Sequence, residues 1–211
     1  MALIARAKRR LWTLILAVVT ASTAAYAARP ELSETEIVDL QAGRMVSRPD
    51  EVDRDGRHYI GGVSYVMIDA PAEQVLAVLG DVRTYREILP RTRSLRWFGI
   101  ARNGDAIIEL EQGNAIAHGK YVARVHRDEP KSGDGPATVR FWLDHRYPHD
   151  IADANGFFHV ESVGDRTLVT YLVMVDLGGG WFSGMFEGRI RRAALSTPML
   201  VKKYVESHRP S

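Results

Sequence analysis

The segment from Gly62 to Pro90 constrains the fold of this chain more than any other part of its sequence. Its first part, Val63 to Ile68, is rich in β-branched and aromatic residues, which favour an extended strand. Pro71 cannot continue a strand inside a sheet but is favourable at the start of a helix, and apolar residues recur at helical spacing after it. Gly80 interrupts that helical pattern, and a second short pattern ends before the closing proline. The segment therefore predicts one strand followed by two short helices.

The sequence after Pro90 changes to short apolar segments that are separated by turn residues. Asn103-Gly104 lies between two of these segments and is a strong signal for a two-residue hairpin turn. The same alternation continues as far as Leu177, which predicts a meander of six consecutive antiparallel strands. The predicted strands are residues 94–101, 106–112, 115–126, 137–145, 156–163 and 167–177.

A long helix is predicted at the end of the chain, from Trp181 to His208, because its apolar residues form one stripe at helical spacing. Pro198 lies inside this helix and removes one backbone donor, so we expect a kink near Ala194. The middle of the inner face carries small side chains, which leave room beneath the helix. The sequence is consistent both with a cavity there and with a simple close approach of helix and sheet.

Residues 1–28 have the three parts of an export signal. A basic start, Arg6 to Arg10, precedes an apolar run from Leu11 to Val19, and small residues then lead to the cleavage pattern Ala25-Tyr26-Ala27. We therefore expect a cleaved signal peptide over residues 1–28 and an exported protein in the bacterial periplasm. The alternative is an uncleaved N-terminal segment that anchors the protein in the inner membrane, since residues 11–28 approach the length of about 20 residues that spans a bilayer.

The charge balance depends on that leader. Removing residues 1–28 takes away four of the 28 basic residues and none of the 26 acidic ones, which changes the formal net charge from +2 to −2. The basic character therefore does not indicate nucleic acid as a partner. The chain has no cysteine, so disulfides and thiol chemistry are excluded and the fold must rely on its apolar core.

Residues 29–61 are interpreted as an N-terminal extension before the main domain, which covers residues 62–208. Ser33 and Glu36 have the spacing of a capping box and predict a short helix. The stretch from Arg48 to Arg57 is charged and has few apolar residues, so the sequence predicts a linker there.

The order of strand, two helices, six strands and long helix resembles the START-like (SRPBCC) superfamily, which includes polyketide cyclases and coenzyme Q-binding proteins. The resemblance covers residues 62–208 and rests on short motifs: Ile68 to Val75, Asp81-Val82 with Tyr85 and Pro90, Gly156 to Glu161, and Gly164 to Tyr171. It implies an α+β helix-grip fold, in which a curved antiparallel sheet of about seven strands wraps around a long C-terminal helix. It also implies a hydrophobic cavity between the sheet and the helix, and a lipid-like or polycyclic ligand.

Strand alternation and the helical stripe propose residues that would line this cavity. From the strands these are Trp97, Leu110, Tyr121, Phe141, Phe158 and Tyr171, and from the terminal helix Phe182, Phe186, Ile190, Ala193 and Thr197. The resemblance adds Tyr85, Ile88 and Leu89 of the second short helix, near the mouth of the cavity.

Few residues suggest chemistry. His145 and His149 could in principle ligate a metal, but Pro148 prevents regular helical spacing and no third ligand is nearby, which favours a solvated turn. Glu109 and Glu111 share one side of a strand, and their apolar neighbours are better candidates for the inner side. We therefore expect no catalytic residue, no metal and no cofactor.

The favoured function is that of an exported START-like protein that binds or carries a hydrophobic small molecule or lipid in an internal cavity. Two alternatives remain: an enzyme of the polyketide cyclase or aromatase kind, and a non-catalytic cell-envelope interaction module without a ligand. The outer face of the terminal helix suggests transient contact with a membrane surface, because basic residues surround two apolar ones. These residues are Arg191, Arg192, Lys202 and Lys203 around Leu195 and Met199.

Overall fold

The computed structural model describes residues 32–114, 118–128, 135–179 and 186–208. The chain divides into two compact units, residues 1–37 and 38–211. The predicted signal peptide lies outside the described residues. Helix α1, Glu34–Gln41, begins at the capping box: the Ser33 amide donates to Glu36 Oε2 (2.8 Å) and the Glu36 amide donates to Ser33 Oγ (3.3 Å).

The second unit contains one antiparallel sheet and several helices. Its elements are β1 Val46–Arg54, β2 Arg57–Ile68, α2 Ala72–Gly80, a 3-10 turn Val82–Thr84, α3 Tyr85–Ile88, β3 Thr92–Ile100, β4 Ala106–Gly113, β5 His118–Asp128, β6 Ala137–Leu143, β7 Asp153–Val163, β8 Arg166–Asp176, α4 Glu187–Leu195 and α5 Thr197–Ser207. No helix among the described residues is long and apolar enough to cross a membrane.

The sheet has eight strands in the order β1-β2-β8-β7-β6-β5-β4-β3, one more than the sequence predicts. The additional strand is β1, within the stretch predicted to be a linker, and it pairs with β2 from Val46 opposite Tyr65 to Arg54 opposite Arg57. Asp55 and Gly56 both have positive φ, as a tight two-residue hairpin turn requires. The linker prediction was wrong because β1 is an edge strand with mostly exposed side chains, so its charged residues do not oppose pairing.

The predicted single terminal helix is divided in two at Ser196. Pro198 lies in the first turn of α5 and has no N–H to donate to the Ala194 carbonyl. Side-chain hydroxyls satisfy the carbonyls at this break: Thr197 Oγ1 donates to Ala194 O and Ser196 Oγ donates to Ala193 O, each over 2.7 Å. The expected kink is therefore a complete break, and residues 181–185 of the predicted helix lie outside the described residues.

The core lies between one face of the sheet and helices α2, α3 and α5. Val66 and Val169 from the sheet and Val201 and Val205 from α5 are fully buried. The buried hydroxyl of Ser64 on β2 donates to Leu195 O over 2.9 Å, which ties the sheet to the junction of α4 and α5. This anchoring fixes the position of the helices over the sheet.

A network of charged side chains lies at β5 and the turn after β6. Arg124 Nη1 donates to Asp105 Oδ2 (2.7 Å) and Arg124 Nε donates to Asp144 Oδ2 (2.8 Å), and both carboxylates are buried. Hydrogen bonds from Arg146, opposed by burial, and then from Arg124 hold the pKa of Asp144 well below its usual value. Burial raises the pKa of Asp105, but hydrogen bonds from Asn103, His126 and Arg124 outweigh it, and the pKa is lowered. The network therefore needs both carboxylates ionised.

Candidate functional site

A cavity of about 290 Å³ lies between strands β4 to β8 and the terminal helices. This corresponds to about ten water volumes at ~30 Å³ each, at the lower limit of the ~300–1,000 Å³ typical of small-molecule sites. Its wall is mostly apolar. The strand side includes Ile108, Leu110, Ala123, Val125, Phe158, Tyr171, Val173 and Val175, and the helix side includes Phe186, Ile190, Ala193, Ala194 and Thr197.

The cavity exists where the helical wall carries its smallest side chains. Ala193, Ala194 and Thr197 stand at the junction of α4 and α5, whereas larger apolar residues precede them on α4 and follow them on α5. The hydrogen bond from Ser64 Oγ to Leu195 O sets where this junction lies over β2, and the short side chains leave space beneath it. The predicted room beneath the helix is therefore a void in this structure.

An aromatic cluster forms the opposite wall. The ring centroids of Phe141 and Phe158 are 6.0 Å apart, those of Phe141 and Tyr171 are 6.0 Å apart, and those of Phe158 and Tyr171 are 4.5 Å apart. Gly156 lies opposite Phe141 in the β6–β7 register, and a Cβ there would lie 2.4 Å from Phe141 Cζ. Because Gly156 has no side chain, the Phe141 ring has room to lie against the sheet at this position.

Three tyrosines, Tyr85, Tyr121 and Tyr171, line the cavity. Tyr121 donates to Gln112 Oε1, and Tyr85 donates to Leu79 O over 2.8 Å. Burial raises the pKa of Tyr85, Tyr121 and Tyr171 well above the usual value of a tyrosine. These phenols are therefore neutral at physiological pH, and they can donate or accept hydrogen bonds but do not serve as bases.

Charged and polar residues border the cavity at one end. Hydrogen bonds connect several of them: the Gly113 amide donates to Arg91 O over 3.0 Å, and the Lys120 amide donates to Asp150 Oδ2 over 2.8 Å. The polar lining residues at this end are Arg91, Gln112, Asn114, His118 and Asp150, and Arg189 adds a further cation from α4. An apolar interior with a polar rim suits an amphipathic molecule whose polar end faces solvent.

Most of the predicted lining residues border this cavity: Tyr85, Leu89, Leu110, Tyr121, Phe141, Phe158, Tyr171, Phe186, Ile190, Ala193 and Thr197. Ile88 does not border the cavity and is fully buried in the core. Helix α3 is a single turn, and its side toward the cavity carries Tyr85 and Leu89, four residues apart. Phe182 lies outside the described residues.

Trp97 is also not part of the cavity, and its side chain is 53% exposed. It pairs with Ile108 in the β3–β4 register, so it lies on the predicted face of the sheet. The prediction was wrong because β3 is an edge strand, and Trp97 is not among the residues that border the cavity.

Strand alternation also indicates lining residues that the sequence analysis does not propose, namely Val173, Val175 and Ile108, of which Ile108 is expected only on the inner side of its strand. Alternation that turns Leu110 inward also turns Ile108 inward, and the alternation that includes Tyr171 includes Val173 and Val175. No sequence pattern indicates the lining residues Arg91 and Arg189, which border the cavity from the residue before β3 and from α4.

The residues considered for metal or acid–base chemistry have structural partners. The His145 and His149 rings meet edge to face at 5.3 Å, and His145 Nε2 lies 3.2 Å from Asp153 Oδ1. Within the described parts of the chain, no group of three or more His, Cys, Asp or Glu residues could hold a metal ion. Glu109 and Glu111 form ion pairs with Lys120 (3.0 Å) and Arg93 (3.6 Å).

The basic face proposed for the terminal helix does not form an exposed apolar patch. Leu195 is buried, with 3% of its surface exposed, and Met199 packs against the core. Arg191 forms an ion pair with Glu51 of β1, and Lys202 Nζ donates to Met67 O over 2.8 Å. The prediction of an outward apolar centre for membrane contact on this face was wrong, because α4 and α5 turn these residues toward β1 and β2.

An antiparallel sheet that grips terminal helices, with an apolar cavity between them, defines a START-like helix-grip protein, as the sequence predicts. The model of one family, described as polyketide cyclase / dehydrase and lipid transport, matches residues 68–197, more than half of the chain. The chain therefore belongs to this family. No curated protein sequence matches it significantly.

Solved structures show the same fold. A STAR-related lipid transfer protein from Xanthomonas axonopodis matches with 19% identity and a TM-score of 0.59, over 76% of this chain and 98% of that one. Human StAR-related lipid transfer protein 5 matches with 12% identity and a TM-score of 0.61, over 94% and 98%. The ZhuI aromatase/cyclase from Streptomyces sp. R1128 matches with 16% identity and a TM-score of 0.54, over 76% and 94%. At these identities the likeness establishes the fold alone.

Proposed function

We propose that this protein binds and carries one hydrophobic small molecule or lipid in the cavity beneath α4 and α5. The observation that carries the proposal is the apolar void of about 290 Å³ between the aromatic wall of the sheet and the small residues of the helices. Folded interiors are close-packed, so a cavity of this size lowers the stability of the protein. Such a cavity is expected where a ligand occupies it. The lipid-transport description of the family and the lipid-transfer name of the Xanthomonas protein support the same class of ligand.

The ligand proposed from the cavity has one compact apolar body and a polar end. The volume is at the lower limit of small-molecule sites, which favours a single acyl chain or a small ring system. The apolar part would lie against Phe158 and Tyr171, and the polar end would face the rim at Arg91 and Arg189.

A cyclase-type enzyme is the second candidate, favoured by the hydroxyl groups of Tyr121, Tyr171 and Thr197 in the wall. Such groups could position the carbonyl groups of a bound chain. The raised pKa of Tyr121 and Tyr171 keeps their hydroxyl groups protonated near neutral pH, so neither can remove a proton from a substrate. This favours binding over catalysis. An interaction module without a ligand would not need the void.

The test is organic extraction and mass spectrometry of the purified protein, in wild type and two variants. Ala193→Phe places a ring in the cavity, whereas Ala77→Phe adds the same ring on the exposed side of α2. We expect a co-purified apolar molecule with wild type and Ala77→Phe, and strongly reduced occupancy with Ala193→Phe. Equal occupancy in all three proteins, or no bound molecule and no uptake of added fatty acid by wild type, would contradict the proposal.

We also propose that the protein acts after export and cleavage of residues 1–28. N-terminal sequencing of the protein recovered from the periplasm is expected to begin at Ala28 or Arg29, directly after the small residues of the cleavage pattern. Recovery of an uncleaved chain in the inner-membrane fraction would instead support the anchored alternative.

A further inference from the structure

The far end of β3 carries three large apolar side chains that are exposed, and the ring centroid of one of them, Phe98, lies 5.6 Å from that of Tyr147. Trp97 is 53% exposed, Phe98 37% and Ile100 68%. We call these three residues the β3 patch. Single apolar residues on a surface are ordinary, but a contiguous group with an exposed tryptophan is typical of an interaction site.

The two edge strands of the sheet, β1 and β3, differ in their exposed side chains. The edge formed by β1 carries Pro49 and the exposed acidic residues Asp50, Glu51 and Asp53, which are features that protect an edge strand from association. The edge formed by β3 has the apolar β3 patch instead. One edge is therefore protected while the other offers an apolar surface.

A β-bulge between Trp97 and Gly99 brings two of the three side chains to one face of the sheet. The register of β3 against β4 shifts between Trp97 and Gly99, so that Trp97 opposite Ile108 and Ile100 opposite Ala106 lie on the same face. Gly99 has φ of +116°, a conformation that favours glycine, and its carbonyl accepts from Trp97 Nε1 over 3.1 Å. The only polar atom of the indole is thus satisfied within the chain, and its apolar body remains exposed.

The sequence around the patch is strongly basic. Residues 86–102 contain Arg86, Arg91, Arg93, Arg96 and Arg102 and a single acidic residue, Glu87, and all six are exposed. Among the residues that the structure describes, Arg93 pairs with Glu111, but Arg96 and Arg102 form no ion pair. The Arg96 guanidinium instead lies 5.1 Å from the centroid of the Phe98 ring.

We propose that the β3 patch and its flanking arginines dock the protein on an anionic membrane surface. Tryptophan and other apolar residues enter the interface between headgroups and acyl chains, and arginines bind the anionic headgroups around them. A second copy of the chain fits less well, because pairing of two β3 strands would bring arginines of equal charge together and the bulge would interrupt the ladder.

This proposal does not depend on the cavity and is tested separately by sedimentation with lipid vesicles. Vesicles of phosphatidylcholine alone are compared with vesicles of phosphatidylcholine and phosphatidylglycerol, with all proteins identical in their N-terminal segment. The patch variant is Trp97→Ser with Ile100→Ser, and its control is Val163→Ser, which removes another exposed apolar side chain at the end of β7. A charge variant, Arg96→Gln with Arg102→Gln, leaves the apolar residues in place.

We expect binding of wild type to the anionic vesicles only, weakened by salt. The patch variant is expected to bind roughly tenfold or more weakly, and the charge variant about fivefold more weakly for each arginine removed. Val163→Ser is expected to bind like wild type. All variants should retain the circular dichroism of wild type and, if the cavity carries a ligand, the same extracted mass.

Three results would overturn the proposal. They are the absence of binding to anionic vesicles, binding that is unaffected by both the patch and charge variants, and a dimer in light scattering that disappears in the patch variant. The last result would assign the β3 patch to self-association.

Discussion

Filling the cavity should make the ligand-free protein more stable and at the same time abolish binding. At about 24 cal/mol per Å³, an empty space of about 290 Å³ costs about 7 kcal/mol, an upper value because water enters at the rim. Domains are stable by only about 5–15 kcal/mol, so the void is a large part of that margin. Ala193→Phe directs a ring from α4 into this space.

The magnitude follows from the size of the ring. A benzene-sized group fills a cavity of about 150 Å³, and filling that much space returns about 3–4 kcal/mol. Adjustment of the neighbouring side chains costs about 1–3 kcal/mol. We therefore expect Ala193→Phe to raise the free energy of unfolding by about 1–2 kcal/mol and the Tm by about 2–8 °C.

The assay is urea unfolding of protein from which bound lipid has been extracted, because a retained ligand would itself stabilise the wild type. Binding is measured in parallel by titration with the fluorescent probe anilinonaphthalene sulfonate. Ala77→Phe is the control and should change neither quantity by much. A loss of stability in Ala193→Phe with unchanged probe binding would refute the reasoning, because it would show that the space beside Ala193 is already filled.

Three further predictions concern the walls and the charged network. Gly156→Ala should destabilise the protein strongly, because the added Cβ would lie 2.1 Å from the backbone oxygen of Leu172 on β8 and 2.4 Å from Phe141 Cζ, and urea unfolding measures the loss. Asp144→Asn should lower the free energy of unfolding at pH 7 by about 1–3 kcal/mol. Because the pKa of Asp144 is lowered in the folded state, wild type should lose this stability as the pH falls below about 4, and urea titrations should show a shallower loss in the variant. Burial raises the pKa of Tyr171, so wild-type stability should fall above about pH 10, where the unfolded chain ionises first, and Tyr171→Phe should reduce that fall.

Local patterns in the sequence predicted those parts of the fold that depend on neighbouring residues. The strand and two helices between Gly62 and Pro90 follow from proline and glycine positions and from helical spacing, and the structure has them in that order. The inward position of Leu110, Phe158 and Tyr171 follows from strand alternation, which holds wherever one face of a sheet is covered.

The wrong predictions have one cause. Local sequence patterns do not show which strand lies at the edge of a sheet or which element covers its face. Charged residues in β1 indicated a linker, but an edge strand pairs through its backbone and leaves those side chains in water. Trp97 has the predicted orientation and lies on an edge strand, away from the cavity. The helical pattern places Leu195 on the outer face, yet the break at Ser196 and the contacts of α4 with the sheet bury it.

The size of the cavity also depends on distant parts of the chain. The small residues Ala193 and Thr197 are consistent both with a cavity and with a close approach of helix and sheet. The Ser64 hydroxyl on β2 donates to the Leu195 carbonyl and sets where the helix junction lies over the sheet. A serine in an apolar strand gave no signal of that role.

The most direct measurement of the central claim is a crystal structure of the lipid-extracted protein under xenon pressure, because xenon enters apolar voids. The account predicts xenon between Ala193 and the Phe158–Tyr171 wall in wild type, and its absence from that place in Ala193→Phe. A wild-type interior in which side chains from α4 and α5 meet the sheet and leave no xenon site would contradict it.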